Sequence, residues 1–264
     1  MTLPRWSQVA AYAASKLTAA GLVFLAFLVI VGGFRLYEMS EITRQMPLWG
    51  SIYGYAVLFS ALADAVLCKC KAGPAKKALT VLLYMLGGYV PFWFWFPGQW
   101  VLSLIAGLYG IICALAFLAA TQLFRSRWPY SATAALLLLA VALYISLTDF
   151  TVTKQWTETR TADGYQAEFA YFHGHKEIPV KLEAGQTLSY YMNWQVTDGG
   201  YGTHLDAKGG TYENVTRGGE PQIAYRVNAP STVRIVITGD QARGALTVVW
   251  EITGSDYHLQ NDDR

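Results

Sequence analysis

The first 149 residues are built from long apolar runs, and the remaining 115 from short alternating ones. Residues 17–34, LTAAGLVFLAFLVIVGGF, hold no charge, and residues 46–67 hold one, Asp64. From Ala78 to Phe124 there are 47 residues without a charge. A membrane helix needs roughly 20 apolar residues, so that stretch is too long for one span and right for two. The break falls at FPGQW, where Pro97 and Gly98 signal a tight turn. Residues 128–148 make one more run. These segments are apolar all round, whereas a helix in a soluble protein keeps a polar face. The pattern predicts an all-α membrane bundle over 1–149, with five spans at about 17–36, 46–67, 78–96, 100–124 and 128–148.

After Phe150 the period changes to two. In QTLSYYMNWQV, Leu188, Tyr190, Met192, Trp194 and Val196 share one face. Val233, Ile235 and Ile237 do so in STVRIVITG, and Leu246, Val248, Trp250 and Ile252 in ALTVVWEI. Such alternation marks strands with one side on a core. Weaker strands are expected at AEFAYF, EIPVKL, THLDA and IAYRV. The separators carry turn chemistry: Ala184-Gly185, Asp198-Gly199-Gly200, Lys208-Gly209-Gly210, Gly218-Gly219 and GDQARG. Residues 151–165 read as a linker or an irregular first strand. Seven or eight short strands over 150–264 predict an all-β antiparallel sandwich.

The run IPVKLEAGQTLSYYMNW, followed by APSTVRIVITGDQARGALTVVWEI, resembles small bacterial extracytoplasmic β-sandwiches of the pre-peptidase C-terminal and GOLD-like kinds. The likeness spans roughly 80 residues and lies in the strand spacing and one turn motif. It implies a jelly-roll-like fold with a binding or accessory role, and it carries over no catalytic residue.

Charge adds an orientation. Residues 1–149 carry ten basic and four acidic groups, and residues 150–264 carry ten and fourteen. With the N-terminus inside, the inner segments hold Arg5, Lys16, Lys69, Lys71, Lys76, Lys77, Arg125 and Arg127, and the outer loops hold Arg35 and Arg44. Cytoplasmic loops carry the positive excess. The expectation is a multi-pass cell-membrane protein with a cytoplasmic N-terminus and an extracytoplasmic β domain. Trp49, Trp93, Trp95, Trp100, Trp128 and Tyr130 sit where aromatic side chains anchor spans at the interface. The first apolar run reads as a retained anchor rather than a cleaved signal. The expected partners are the lipid bilayer and an envelope polymer, surface ligand or protein for the outer domain. The acidic tail argues against nucleic acid.

Candidate chemistry is sparse. CKCKAGPAKK, residues 68–77, places Cys68 and Cys70 one residue apart among four lysines. No second ligand pair accompanies them, so the stretch reads as an inner-loop topology signal. His173 and His175 at two-residue spacing, with His204 and Asp206 elsewhere, form a candidate metal edge for Zn²⁺ or Cu²⁺. The fourth histidine is His258. Asp64 is the ionisable residue well inside a predicted span. It is a candidate for an ion or substrate pathway in a small transporter or channel component, or else it reaches headgroup water or a nearby lysine. Gly87-Gly88 and Pro91 are positioned to break the third span. P-loop, dinucleotide, HExxH and nucleophile-elbow motifs do not occur. No catalytic residue or cofactor is therefore expected, and an enzymatic role is disfavoured. ENVT at 213–216 matches a glycosylation sequon, relevant only in a eukaryotic secretory pathway.

Overall fold

The computed structural model describes residues 5–125, 128–217 and 220–254. The chain divides into two compact units, Met1–Asp149 and Phe150–Arg264. The first is helical: α1 Arg5–Gly32, α2 Leu36–Gln45, a π-helical segment Trp49–Ala56 running into α3 Val57–Leu67, α4 Pro74–Trp95, α5 Trp100–Arg125 and α6 Trp128–Leu147. Among the described residues five helical stretches are long and apolar enough to cross a membrane: Gln8–Gly32, Trp49–Leu67, Pro74–Trp95, Trp100–Arg125 and Tyr130–Leu147. Half of the α1 apolar window is buried, against 11–22% in the other four, so α1 is the central helix.

Two boundaries differ from the sequence reading. The first apolar helical stretch starts at Gln8, nine residues before the predicted Leu17, so Lys16 lies inside the stretch rather than ahead of it. The predicted outer loop contains α2, which buries Tyr37, Met39, Ser40 and Thr43. The chain reaches α2 through Gly33 and Phe34, both at φ 62°. α4 does not break at its glycines and proline. Pro91 has no N–H to give the Gly87 carbonyl four residues back. The Tyr55 hydroxyl, from the π-helical segment, donates to that carbonyl at 2.7 Å instead. Small residues also seat α4 on α5. A Cβ on Gly88 would lie 2.5 Å from the Gly110 carbonyl oxygen, and one on Gly107 would strike the Tyr89 ring.

The second unit is an antiparallel sheet of seven strands: β1 Val152–Lys154, β2 Thr157–Arg160, β3 Gly164–Leu182, β4 Thr187–Asp206, β5 Gly210–Arg217, β6 Glu220–Val227 and β7 Ser231–Thr253. The order is β1-β3-β7-β4-β6-β5, with β2 also on β3. The short strands expected from sequence are fused in pairs. AEFAYF and EIPVKL are two arms of β3, YYMNWQV and THLDA lie in β4, and STVRIVITG and ALTVVWEI lie in β7. The predicted turns at Asp198-Gly199-Gly200 and within GDQARG are bulges instead. Register slips between Phe169 and Gly174 in β3 and between Val196 and Gly200 in β4, opposite Asp240–Arg243 of β7.

A bulge inserts an extra residue and bends the strand. It also flips the parity of the buried positions. In β3 these run Tyr165, Ala167, Phe169, then Phe172, Ile178, Val180, Leu182. In β7 the residues of the core run Val233, Ile235, Ile237, then Ala242, Leu246, Val248, Trp250, and Val236 is buried on the other side. The parity flip keeps one face on a single hydrophobic core. The bend is sharp. Thr203 Oγ1 donates to Met192 Sδ at 2.9 Å, although eleven residues of extended strand would span about 36 Å. Trp194 and Tyr201 stack at 4.8 Å across the same corner. The Gly218-Gly219 turn lies outside the described residues.

Candidate functional site

Residues four apart on a helix share a face, so α1 presents Tyr12 and Lys16 together. Lys16 Nζ lies 2.8 Å from Asp64 Oδ2 on α3. The Tyr12 hydroxyl donates to the same oxygen at 2.8 Å. Lys16 also reaches the Tyr84 hydroxyl on α4 at 3.4 Å. Its ammonium lies 5.3 Å from the centre of the Tyr12 ring and 5.9 Å from that of Phe117 on α5. Tyr84 in turn meets Phe59 edge-on at 6.0 Å. Four helices therefore close around one ammonium.

The pair is asymmetric. The Lys16 side chain is 2% exposed and that of Asp64 38%. Lys16 stands eight residues into the apolar stretch that begins at Gln8, about 12 Å along the axis. Asp64 stands three residues from the end of α3, about 5 Å along the axis. A buried ammonium is costly unless neutralised, and here a carboxylate, a hydroxyl and two ring faces share it. The sequence reading left open whether Asp64 pairs with a nearby lysine. Its partner is a lysine, 48 positions earlier in the chain rather than on the adjacent loop. Lys16 itself escaped notice as a site residue, because a single lysine before an apolar run resembles a span boundary. The detectable signal was the spacing Tyr12–Lys16 beside an acid in another span.

Residues 68–73 form the turn between α3 and α4, with Pro74 in the first turn of α4. Cys68 is exposed, while Cys70 and Cys113 are half-buried; all three are free thiols. Lys69, Lys71 and Lys77 are exposed and Lys76 is half-buried.

In the β unit, His173 and His175 flank Gly174, a bulge residue at φ 138°. His173 Nδ1 lies 3.2 Å from Asp240 Oδ1 on β7, and the His175 N–H donates to Thr151 Oγ1 at 3.2 Å. His204 is on β4, opposite Val236 of β7, so β7 separates it from both β3 histidines. The structure does not bring His204 to the His173–His175 edge. Among the described residues no three His, Cys, Asp or Glu side chains group closely enough to hold a metal ion. His258 lies outside the described residues. Asp206 is paired with Arg234 at 3.3 Å.

Two further features of this unit escaped the sequence reading. Glu158 Oε2 accepts hydrogen bonds from Trp156 Nε1 at 2.6 Å, the Tyr165 hydroxyl at 2.7 Å and Lys176 Nζ at 3.2 Å. The donors, Tyr165 first, hold its carboxyl below the usual glutamate range. Burial, reinforced by Glu158, pushes the Tyr165 phenol well above its ordinary value. The second is a groove lined by Asp163, Ser189, Tyr191, Val249, Glu251 and Ile252. Tyr191 is paired with Val249 across the strands, and both are exposed.

Protein-family models, curated proteins and solved structures yield no match to this chain.

Proposed function

We propose that the chain is a multi-pass integral membrane protein whose helical unit anchors an extracytoplasmic recognition domain. In this reading the five apolar stretches cross the bilayer with the N-terminus inside. The bent β3–β7–β4 sheet is a two-layer, jelly-roll-like sandwich outside. Its task is to engage an envelope polymer, surface ligand or partner protein, as the resemblance to pre-peptidase C-terminal and GOLD-like modules implies. With Lys16 moved into a span, Arg5, Lys69, Lys71 and Arg127 stay in the inner segments and Lys76, Lys77 and Arg125 lie in the inner end turns of their helices, against Arg35 and Arg44 outside.

The observation that carries the binding reading over a transport reading is the Lys16–Asp64 pair. A pathway carboxylate must be open to its ion. Asp64 Oδ2 is already held by an ammonium and a hydroxyl. The pair closes the bundle's own charge, which suits an anchor.

Two experiments test this. In a variant lacking Cys68, Cys70 and Cys113, single cysteines replace Lys77 and Lys208, and intact cells are treated with an impermeant thiol reagent. Labelling at 208 and not at 77 is expected; the reverse sinks the orientation. Next, deletion of 150–264 is compared with Asp64→Asn for the cellular phenotype, each at matched membrane abundance. Loss on deletion with function kept in Asp64→Asn is expected. Loss of an ion- or substrate-dependent phenotype in Asp64→Asn moves the function to the helical unit.

A further inference from the structure

We infer that the α3–α4 turn and the end of α5 form a binding surface for anionic phospholipid headgroups. The inference rests on the reading that the helical unit spans a membrane. Lys69, Lys71, Lys76 and Lys77 lie within nine residues that contain no acid. The nearest acid in sequence, Asp64, is engaged by Lys16 and Tyr12 instead. Among the described residues none of these four lysines has a carboxylate partner.

Helix packing adds a fifth cation. Gly88 of α4 meets Gly110 of α5 backbone to backbone. The two helices run antiparallel, since the Phe96–Gln99 turn joins them. Fourteen residues back along α4 is Pro74, and fourteen residues on along α5 is Phe124. Equal rise per residue therefore brings exposed Arg125 level with Gly73–Pro74. The result is five basic groups at one height.

Directly beyond them the surface is apolar. Leu79, Leu82 and Leu86 on α4, and Leu62 and Val66 on α3, are all exposed. A cluster of cations that continues into an apolar wall matches one chemistry: a phosphate head with acyl chains. A soluble polyanion would use the lysines and leave the wall uncovered. Juxtamembrane basic clusters attract anionic leaflets.

The test uses the full chain in a neutral detergent. Bound phosphatidylglycerol and phosphatidylcholine are counted by native mass spectrometry, for the wild type, the K69Q/K71Q/K76Q/K77Q variant and the corresponding four-arginine variant. The wild type should prefer phosphatidylglycerol. The glutamine variant should lose that preference by on the order of a thousandfold, at about 1 kcal/mol for each of four cations. The arginine variant should keep it, which separates charge from fold. Equal binding of both lipids, or an unchanged preference in the glutamine variant, overturns the inference. Competition by inorganic phosphate as effective as by phosphatidylglycerol overturns the lipid assignment in favour of a free anion. Alkaline carbonate extraction of the full chain from membranes separates the two failures. Release of the chain refutes the spanning reading itself. Retention without lipid preference refutes the headgroup site alone.

Discussion

Removing Asp64 should harm the protein more than removing Lys16, although the two form one pair. The reason is burial: Lys16 is 2% exposed and Asp64 38%. In Asp64→Asn the ammonium keeps the Tyr84 hydroxyl at 3.4 Å, the two aromatic faces and an amide oxygen. No negative charge remains. Breaking a buried pair from one side costs about 3–5 kcal/mol; the amide acceptor puts Asn near the lower end, about 3 kcal/mol. In Lys16→Met a side chain of similar length fills the same space. Asp64 is left one turn from the end of α3, half-exposed, with the Tyr12 hydroxyl still on it. That loss should be about 1 kcal/mol, within the range for an ion pair with access to water. The double variant has no stranded ammonium and should resemble Lys16→Met. The cycle then returns a coupling of about 3 kcal/mol, at the upper end of the usual range for contacting residues. The measurement is reversible unfolding of the full chain in mixed micelles, read by the helical far-UV signal. Equal losses in the two single variants, or simple additivity in the double, would refute the burial argument.

Tyr55→Phe removes the donor to the Gly87 carbonyl and should cost about 1 kcal/mol, typical of a polar contact between membrane helices; in a Pro91→Ala background, where the N–H returns, the same change should cost measurably less. Gly110→Ala places a Cβ on the Gly88 carbonyl and the Phe92 ring, so a loss of about 1–3 kcal/mol is expected. Gly54→Ala, where an added Cβ meets nothing within 4 Å, should be neutral or stabilising by up to about 1 kcal/mol; the same micelle unfolding assay reads both. Gly244→Ala, at φ 139° and against the Gln195 carbonyl, should lower the thermal midpoint of the β unit within the full chain. Glu158 has a lowered folded pKa, so its contribution is present above the ordinary value of 4.5 and fades as pH falls through the folded value. With the side chain 45% exposed, that contribution should stay below about 1 kcal/mol, and Glu158→Gln should flatten the acid limb of the stability–pH curve. Tyr165, raised in the fold, acts oppositely: its contribution is present below the ordinary value of 10.0 and fades as pH climbs beyond it.

The apolar runs and the alternating runs were legible because each is a local pattern repeated many times. The features that escaped are those decided by a distant partner. Lys16 is buried within an apolar helix because Asp64 of another helix neutralises it, and no window around residue 16 contains Asp64. Pro91 sits inside a continuous helix because Tyr55 supplies the missing donor from 36 positions away. The bulges of β4 and β7 were read as turns because Gly199-Gly200 and Gly244 carry turn composition. Whether such glycines end a strand or bend it depends on the neighbouring strand bending at the same level. The histidine edge was legible as spacing on β3, but the place of His204 depended on strand order, with β7 lying between β3 and β4.

The two units are held by different forces, and their compositions differ accordingly. On the proposed spanning reading the helices gain little by hiding apolar surface from one another, because lipid tails are as apolar as leucine. What can fix them is close backbone approach and polar contact. The helical unit uses both, at Gly88–Gly110 and in the Lys16–Asp64 and Tyr55–Gly87 contacts. Its large apolar side chains, such as Leu58, Leu62 and Leu137, are turned outward and exposed. The β unit shows the opposite arrangement. It has no cysteine with which to form a disulfide, and its apolar side chains from both arms of the sheet meet in one core. Enlarging a small residue at a helix contact, or truncating a large one in the sheet core, should therefore be damaging for opposite reasons: the first intrudes on space the facing backbone fills, at about 1–3 kcal/mol, and the second leaves a cavity, at about 2–5 kcal/mol.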